Sequence, residues 1–320
     1  MSIFIQINWK SRDTLKGALF LTTLNTKRKS DTLLNNSETN TSTLEYQYQD
    51  LYDYIKKFKS QEEQVLLSIV LPMYNEEKTI KTVLEKLPYN NSIEIIVVND
   101  HSTDHSLEKI EEVKLKRDIR VINHKINRGY GGAIISGISQ AKGNVIVTMD
   151  TDGQHSPDDI FNLIKPIFKE EADCTIGSRY KGTYFYQLPV ITRLGEVFVE
   201  KLIQIFFGVR IMNNQTGFRA FNRKILPIFD NIRYFGYAFC TEQILKASLS
   251  NYQIKECPIK VYRREYGSSK IKLIKLARRI FSCLFYYYIR KIKSSVKRNK
   301  RTERQWNPEW VIHTIFIINN

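Results

Sequence analysis

The sequence predicts an α/β protein whose mostly parallel β-sheet is covered by helices on both faces. Between residues 66 and 149, near-continuous apolar segments of strand length alternate with amphipathic segments of helix length. This alternation is typical of parallel strands that are buried on both faces. Each apolar segment also ends in polar residues, and in such sheets ligands bind beyond the carboxyl ends of the strands. We therefore expect a binding site along one edge of the sheet.

The individual elements follow from hydrophobic periodicity. Apolar runs predict four strands, at residues 67–71, 93–98, 119–123 and 145–149. The amphipathic segments after the first three strands predict helices at residues 76–87, 107–113 and 131–141. Upstream of the sheet, apolar residues at helical spacing predict a short helix within residues 44–58.

The composition limits the class of protein and its partners. A chain of 320 residues with 42% hydrophobic content can bury one large core or two smaller ones. The net charge of +16 and the pI near 9.5 indicate an anionic partner, either nucleic acid, a phosphorylated small molecule or an anionic membrane surface. The four cysteines are far apart and form no C-x-x-C pair, so we expect buried free thiols in a reducing compartment.

Three regions are predicted along the chain. Residues 1–64 form an N-terminal extension with a polar, disordered middle, residues 65–270 form the core domain, and residues 271–320 form a basic tail. The longest aromatic-rich apolar run, at 280–289, has about half of the ~20 residues that cross a bilayer. Charged residues interrupt the apolar pattern from position 10 onward, so we expect neither a membrane span nor a secretory signal peptide.

Two carboxylates follow the fourth strand directly. Asp150 and Asp152 are separated by one residue, so both side chains point the same way if the chain stays extended beyond the strand. Carboxylates this close repel each other unless a cation lies between them, and a divalent cation with oxygen ligands fits. Gln154 continues the spacing with a neutral oxygen. The alternative is a polar turn that closes the strand, because Asp-Gly is common in turns.

The other strand ends carry polar clusters as well. Residues 72–76, 99–104 and 123–129 follow the first three strands, so acids and aromatics from neighbouring strands are expected to form one rim. A rim of carboxylates is unfavourable unless a cation or sugar hydroxyls interact with it. Gly129 and Gly131 precede a helix but lack the spacing of a phosphate-binding or dinucleotide-binding loop.

Seven segments in a fixed order resemble the family 2 glycosyltransferases of the GT-A fold, and specifically the dolichyl-phosphate mannose and glucose synthases. They are residues 71–76 (LPMYNE), 98–104 (VNDHSTD), 127–133 (NRGYGGA), 150–155 (DTDGQH), 177–180 (GSRY), 216–221 (TGFRAF) and 264–270 (REYGSSK). The resemblance covers about residues 66–270 and implies a GT-A nucleotide-sugar-binding domain. Both ends of the chain lie outside it.

The resemblance implies two binding sites for parts of a nucleotide-sugar donor. The implied nucleotide pocket consists of Pro72, Tyr74, Glu76 and Asp100, with Asp100 reading the base and Glu76 the ribose hydroxyls. The implied ligands of Mg²⁺ or Mn²⁺ on the donor diphosphate are Asp150, Asp152 and Gln154. Hard oxygen ligands fit these ions better than zinc, and neutralising the diphosphate makes it a better leaving group. The alternative is a structural role for both residues: Tyr74 would cap a turn, and Asp100 would be the N-cap of a helix.

The resemblance also implies a group of cations that handle phosphate. Together with Asp152 and Glu242, the residues implied in catalysis are Arg179, Arg193, Arg264 and Lys270. A polyprenyl phosphate acceptor is already an anionic nucleophile, so its reaction needs charge screening more than a base. Glu242 lies where related transferases with hydroxyl acceptors place a catalytic acid, but it could instead pair with an arginine. For a single arginine, the alternative is a solvated surface position.

Three departures from the family pattern leave the donor open. Asn99 replaces an Asp in the second motif, residues 213–215 lack an Asp that usually precedes the Gly-Phe-Arg segment, and Val197 replaces a Ser common in mannose synthases. A UDP-sugar is therefore as compatible with the sequence as GDP-mannose.

The C-terminal tail predicts contact with a membrane surface. Residues 270–301 contain twelve Lys and Arg and no acid, interleaved with apolar residues at helical spacing. A basic amphipathic helix of this kind is typical of membrane-surface elements, and Trp306, Trp310 and the apolar run at 311–318 add a possible interfacial anchor. The alternative is a helix packed on the domain with a solvated basic face.

The sequence thus predicts a metal-dependent glycosyltransferase that is peripheral on the cytoplasmic face of a membrane. It moves a hexose from a nucleotide-sugar to polyprenyl phosphate by single displacement with inversion. The expected partners are donor, acceptor, an anionic membrane surface and an optional anchoring subunit, without nucleic acid. Two alternatives remain: transfer to a glycan or lipid-linked hydroxyl with Glu242 as base, and a non-catalytic module that binds membrane or nucleic acid.

Overall fold

A computed structural model describes residues 47–58, 65–186, 189–236, 238–264, 266 and 273–305. The chain divides into two compact units, Met1–Gln49 and Asp50–Asn320, and the sheet and the candidate site belong to the second. The predicted extension, apart from residues 47–58, lies outside the described residues, as do Lys270, Trp306, Trp310 and the run at 311–318.

The described part of the chain contains one seven-stranded sheet. Its strands are β1 (Leu67–Met73), β2 (Ile93–Asn99), β3 (Ile119–Asn123), β4 (Val145–Thr148), β5 (Cys174–Tyr184), β6 (Arg219–Asn222) and β7 (Ile254–Val261). The strand order is β3-β2-β1-β4-β6-β5-β7. Strands β1 to β4 pair in parallel, β6 runs antiparallel to β4 and β5, and β5 pairs in parallel with β7. The prediction of a mostly parallel sheet is confirmed, with β6 as the exception.

Helices connect the strands. They are α1 (Gln49–Lys56), α2 (Ile80–Lys86), α3 (Ser106–Lys114), α4 (Gly129–Gln140), α5 (Ile160–Phe168), α6 (Val190–Phe207), α7 (Phe239–Leu249) and α8 (Leu273–Gln305). The helix predicted from residue 76 begins four residues later, because the chain first turns at Asn75, whose φ of 57° lies in the left-handed region. No helix within these described ranges combines the length and apolar composition needed to cross a bilayer.

Alternating strand residues pack on opposite faces of the sheet. Val70, Ile96 and Ile146 face a core shared with α4, α6, α7 and α8. Their neighbours Ile69 and Val97 are fully buried but lie outside that core, as do the buried residues of α2, α3 and α5. Helices therefore cover both faces, as predicted. All four cysteines are buried and free, which confirms the prediction of unpaired thiols.

The parallel strands bring their carboxyl ends to one edge of the sheet. Met73 pairs with Asn99, and Asn99 pairs with Asn123, so the first three strands end in register. The backbone N–H of Asp100 donates to the Met73 carbonyl at 2.8 Å. The Thr151 hydroxyl donates to the carbonyl of Pro72 at 3.0 Å. The segments that follow β1, β2 and β4 are thereby held next to one another.

Candidate active site

The second acid after β4 is held from both sides of its carboxylate. Asp152 is 7% exposed and forms an ion pair with Arg264, which follows β7. Its other oxygen accepts a hydrogen bond from the backbone N–H of Gln154 at 3.1 Å. Gly153 makes this short turn possible, because its φ of 77° is unfavourable for a residue with a side chain. The turn and Arg264 together fix the direction of the Asp152 carboxylate.

The first acid, Asp150, lies in a cluster of polar groups. The Tyr130 hydroxyl forms a hydrogen bond to its carboxylate, and Nδ1 of His155 lies 3.9 Å from Oδ2. Partial burial, which leaves 29% of the side chain exposed, raises the pKa of Asp150. The Asp152 charge raises it further, while His155 and Tyr130 oppose the rise. A Cβ atom at Gly217 would clash with the Tyr130 hydroxyl and with both carboxylate oxygens. Only glycine therefore leaves room for this pair.

Gln154 is bound to the segment after β7. Its side-chain amide nitrogen donates to the Tyr262 carbonyl at 3.1 Å, and its own backbone carbonyl accepts from the Tyr262 N–H at 2.8 Å. These contacts hold the turn after β4 against the residues that lead to Arg264. The assignment of Gln154 as a third metal ligand stays a prediction.

The side chains of this edge fit a divalent cation that shares its ligands with a phosphate. Within the described residues, no group of three or more His, Cys, Asp or Glu side chains is arranged to hold a metal ion. Asp150 and Asp152 repel each other, however, and the buried Nδ1 of His155 beside them has no hydrogen-bond partner among the described residues. Mg²⁺ is commonly held by one or two carboxylates and completed by substrate phosphates and water. The two acids match that donor set.

The residues predicted to form a nucleotide pocket lie beside these acids. Pro72 is buried in β1, and the Tyr74 side chain is exposed. Glu76 is partly buried and accepts a hydrogen bond from the Thr79 hydroxyl at 3.0 Å. Burial raises the pKa of Glu76, and the negative charges of the two acids after β4 raise it further. The structure therefore brings three carboxylates from two strand ends into one electrostatic cluster.

Asp100 anchors the loop that follows β3. It is buried, and its Oδ1 atom contacts Nδ1 of His124 at 2.7 Å and accepts from the backbone N–H of Arg128 at 2.8 Å. The side chain of Asn127 donates to the Asp100 carbonyl at 3.2 Å. Helix α3 begins only at Ser106, so Asp100 is not its N-cap. Both carboxylate contacts use the same oxygen.

Asn99 makes a side-chain hydrogen bond that an ionised aspartate at this position could not donate. Its side-chain nitrogen donates to Oδ1 of Asn123 at 3.0 Å, and its Oδ1 accepts from the backbone N–H of Ser102 at 2.9 Å. An ionised carboxylate has no donor for the first of these bonds. The departure from the family pattern at this position is therefore compensated by the amide of Asn123.

A second cluster joins β5 to α6. Arg179 donates to the Tyr186 hydroxyl at 2.7 Å and forms an ion pair with Glu196, whose other oxygen contacts the Tyr180 hydroxyl. The Arg193 guanidinium lies 3.8 Å above the centre of the Tyr180 ring, and its Nη1 is 3.9 Å from Glu196. Among the described residues, Nε of Arg179 and Nη1 of Arg193 are buried nitrogens without a hydrogen-bond partner. Two arginines thus share one carboxylate and retain unused donors.

Glu242 lies in the protein interior. Its carboxylate accepts from the backbone N–H groups of Arg233 at 3.0 Å and Tyr234 at 2.9 Å, and from the Tyr287 hydroxyl at 2.6 Å. The side chain is fully buried. In the described structure its contact with an arginine is made through the Arg233 backbone and not through a guanidinium. These partners connect α7 to α8 and to the loop before α7.

The Asp150 cluster and the Arg179–Arg193 cluster contain four residues that the sequence did not identify as candidate site residues. Tyr130 and His155 lie inside recognised motifs, so their position in the motif was the available signal. Tyr186 and Glu196 lie between motifs, and the spacing of Glu196 three residues after Arg193 was the remaining hint. Their partners come from other elements, which local patterns do not reveal.

A mostly parallel sheet with acids at its carboxyl edge and a neighbouring cationic segment is the arrangement of a nucleotide-sugar transferase of the GT-A fold. The chain belongs to glycosyl transferase family 2, whose family model matches residues 68–228. It is a glycosyltransferase.

Two relatives agree with this assignment, and a solved structure shares the fold. A dolichyl-phosphate N-acetylglucosaminyltransferase that uses UDP-N-acetylglucosamine, from Methanococcus voltae, is 30% identical over 234 residues, which cover 68% of this chain and 93% of the relative. A dolichol-phosphate mannosyltransferase from Pyrococcus furiosus is 30% identical over 69% of this chain and 62% of its own length. Glucosyl-3-phosphoglycerate synthase from Mycobacterium tuberculosis, crystallised with Mn²⁺ and UDP, superposes with a TM-score of 0.54 at 18% identity, over 70% of this chain and 80% of that one. The last likeness concerns the fold alone.

Proposed function

We propose that this glycosyltransferase moves a sugar from a nucleoside diphosphate sugar to polyprenyl phosphate. The observation that carries the proposal is the pair of partly buried arginines, Arg179 and Arg193, which share the Glu196 carboxylate and each keep one buried nitrogen without a hydrogen-bond partner. Guanidinium groups with free donors suit a phosphate, which offers several oxygens to each. The names of the two relatives described above support the same acceptor class.

The donor is proposed to bind along the carboxyl edge of the sheet. Asp150 and Asp152 would hold Mg²⁺ or Mn²⁺, which neutralises charge on the donor diphosphate when bound. The nucleoside would lie against Pro72, Tyr74, Glu76 and Asp100. Arg264, now paired with Asp152, is near enough to the acids to interact with the same diphosphate. Gln154 and Lys270 remain predicted contributors.

The acceptor side of the proposal relies on charge and not on proton transfer. A phosphate monoester is ionised at neutral pH, so its oxygen can attack without a general base. Arg179 and Arg193 would orient that phosphate and screen its charge from the donor diphosphate. Glu242 has three donors inside the fold, which favours a structural role and disfavours the alternative in which it activates a hydroxyl acceptor.

The proposed reaction is a single displacement at the anomeric carbon. An oxygen of the acceptor phosphate forms the new bond to that carbon while the bond to the donor diphosphate breaks, and the nucleoside diphosphate leaves with the bonding electron pair. One displacement inverts the configuration. We further propose that residues 65–270 form the catalytic domain and that the enzyme works on the cytoplasmic face of a membrane, where a lipid acceptor would be met.

A transfer assay tests this function. The purified full chain with Mn²⁺ is given labelled UDP-N-acetylglucosamine, UDP-glucose or GDP-mannose, each with polyprenyl phosphate or with the corresponding polyprenol. We expect labelled lipid from at least one donor with the phosphate and none with the alcohol. Label on the alcohol would favour a hydroxyl acceptor, and no labelled lipid from any donor would contradict the proposal.

A further inference from the structure

The side chain of His124 is enclosed at the carboxyl end of β3. The sheet register pairs Asn99 with Asn123, so the residues that follow them, Asp100 and His124, come to lie side by side. The backbone N–H of His124 donates to the Asn99 carbonyl at 2.9 Å. Its side chain is 5% exposed, as is that of Asp100. An imidazole so enclosed needs a partner for each ring nitrogen, and His124 has both.

The imidazole of His124 connects Asp100 to helix α4. Nδ1 lies 2.7 Å from Oδ1 of Asp100, and Nε2 lies 2.9 Å from the Ser136 hydroxyl. Nη1 of Arg128 donates to the same hydroxyl at 3.2 Å. Because an ionised carboxylate only accepts, Nδ1 carries a proton, and a neutral imidazole then accepts at Nε2 from Ser136. The contacts thus assign the neutral tautomer of His124 as the one protonated on Nδ1.

Serine hydrolases align Ser, His and Asp in the same order, but the position of Ser136 excludes their chemistry. A nucleophilic serine needs backbone N–H groups beside it that are free to stabilise an oxyanion. Ser136 lies inside α4, where the N–H groups already donate to carbonyls one turn earlier. The function of this chain of hydrogen bonds therefore lies at its other end, at Asp100.

The Asp100 carboxylate is held through one of its two oxygens. Oδ1 contacts Nδ1 of His124 and accepts from the backbone N–H of Arg128 at 2.8 Å. The backbone of Asp100 is fixed separately, by bonds to the Met73 carbonyl and from the Asn127 side chain. The two donors to Oδ1 therefore determine how the carboxylate is rotated. Within the described ranges no hydrogen bond uses Oδ2, which leaves this oxygen for a ligand.

We infer that His124 is a positioning residue of the donor site, which holds Oδ1 of Asp100 so that Oδ2 accepts a hydrogen bond from the nucleobase. The inference rests on the proposed function, in which the nucleoside lies against Asp100. Uracil and guanine each carry a ring N–H on the edge used in base pairing, and a hydrogen bond from such a group to a carboxylate is charge-assisted. Without the His124 donor the carboxylate can rotate, and the affinity gained from preorganisation is lost.

Two amide substitutions separate this role from a purely structural one. His124 also joins β3 to α4 through Ser136, so a variant could lose affinity because the fold loosens. The side-chain nitrogen of asparagine is as many bonds from the backbone as Nδ1, and that of glutamine as many as Nε2. His124→Asn therefore keeps a donor for Asp100 and loses the contact with Ser136. His124→Gln keeps a group near Ser136 and loses the donor for Asp100.

Calorimetric titration of the full chain tests the inference. UDP, GDP and inorganic pyrophosphate, each with Mn²⁺, are titrated into the wild type, the two His124 variants and His105→Gln, a control whose side chain is 71% exposed. We expect His124→Gln to bind the preferred nucleotide about tenfold more weakly, because a charge-assisted hydrogen bond is weakened. Its affinity for pyrophosphate, which has no base, should not change. His124→Asn and His105→Gln should bind the nucleotide as the wild type does.

Three results would overturn the inference. The first is wild-type nucleotide affinity in His124→Gln, and the second is an equal loss in both His124 variants, which would assign the effect to the Ser136 contact. The third is an equal loss for nucleotide and pyrophosphate, which would indicate a general disturbance of the edge. Thermal denaturation verifies that each variant is folded. Should His124→Gln not fold, His124→Asn still decides, because weaker nucleotide binding in that variant contradicts the inference.

The same titrations separate this inference from the proposed function. A wild type that binds neither nucleotide with Mn²⁺ would contradict the proposed donor site and the role of His124 together. Nucleotide binding that depends on His124 as expected, but without sugar transfer to polyprenyl phosphate, would contradict the proposed acceptor and leave the role of His124 supported.

Discussion

Arg264 and Asp152, 112 residues apart in the chain, form an ion pair at the carboxyl edge of the sheet. This guanidinium approaches an edge that also holds Asp150 and Glu76, whose pKa values are both raised. Burial is the main cause of both shifts, and repulsion from Asp152 adds to each of them. The ligand-free protein keeps a surplus of negative charge where we propose that a cation and a diphosphate bind, and this surplus should be measurable as lost stability.

Glu76→Gln is expected to stabilise the ligand-free protein at neutral pH. The pKa of Glu76 is raised in the folded state, so its favourable contribution exists below its ordinary pKa and is lost as the pH rises through the raised value. The amide can keep the hydrogen bond to Thr79 without the charge. Thermal denaturation should give Glu76→Gln a higher Tm than the wild type at pH 7, and the two proteins should have the same Tm at about pH 4. Glu85→Gln, at an exposed acid, is the control; a lower Tm for Glu76→Gln at pH 7 would contradict this account.

Gly217→Ala is expected to weaken donor binding. The added methyl would clash with the Tyr130 hydroxyl and the Asp150 carboxylate. Overpacking of this kind costs about 1–3 kcal/mol, which corresponds to a loss of about fivefold to 150-fold in affinity if the donor-binding state bears the cost. The matched control is Gly195→Ala, because a Cβ there meets no atom within 4 Å. Titration with nucleoside diphosphate and Mn²⁺ measures both variants. Equal affinity in the two would show that Asp150 need not hold its present position.

Arg179→Ala is expected to raise the KM for polyprenyl phosphate more than that for the donor. A charge-assisted hydrogen bond to phosphate is worth about 1.5–3 kcal/mol, so the KM should rise about tenfold to a hundredfold. Arg120→Ala serves as control, because β3 is separated from β5 by four strands. Steady-state kinetics with each substrate varied in turn supply the comparison. A rise in the KM of the donor alone would indicate that Arg179 binds the donor and not the acceptor phosphate, which would contradict the prediction.

Glu242→Gln is expected to lower stability without changing the pH dependence of turnover. The carboxylate accepts hydrogen bonds from two backbone N–H groups and from Tyr287, and weakening buried contacts of this kind costs about 1–3 kcal/mol. Tyr287→Phe should lower the Tm in the same direction, since it removes one of these donors. Denaturation and pH–rate profiles of both variants distinguish a structural role of Glu242 from a role as a general base. Loss of the acidic limb of the profile in Glu242→Gln alone would restore its role as a general base.

The N-terminal half of the sheet was predictable and the C-terminal half was not. Strand β3 matches its predicted bounds, because continuous apolar runs between helices leave little ambiguity. The antiparallel strand β6 has only four residues, and β5 is exposed along its second half, so neither shows a clear period. Helix α6 turns apolar side chains outward, which reverses the pattern from which a core-facing side is normally inferred.

The site shows the same division. Asp150 and Asp152 were singled out as candidates because they follow a strand directly, and the sheet brings Glu76 and Asp100 to the same edge. Tyr130 escaped notice, because its bond to Asp150 depends on the packing of α4 and not on local spacing. Glu196 was not singled out, and for Glu242 the sequence left open whether it acts in catalysis or pairs with an arginine. The partners of both belong to other elements, so only the fold decides whether a glutamate is solvated, paired or buried.

Calorimetric titration of UDP and GDP with and without Mn²⁺ tests the central claim, that Asp150 and Asp152 hold a donor diphosphate through a divalent cation. We expect one nucleotide to bind more tightly with Mn²⁺, and Asp152→Ala to lose that increase while remaining folded. Asp118→Ala, at an exposed acid outside the site, should keep it. If Asp152→Ala instead retains full metal-dependent binding and only turns over more slowly, the assignment of these acids to the donor is contradicted.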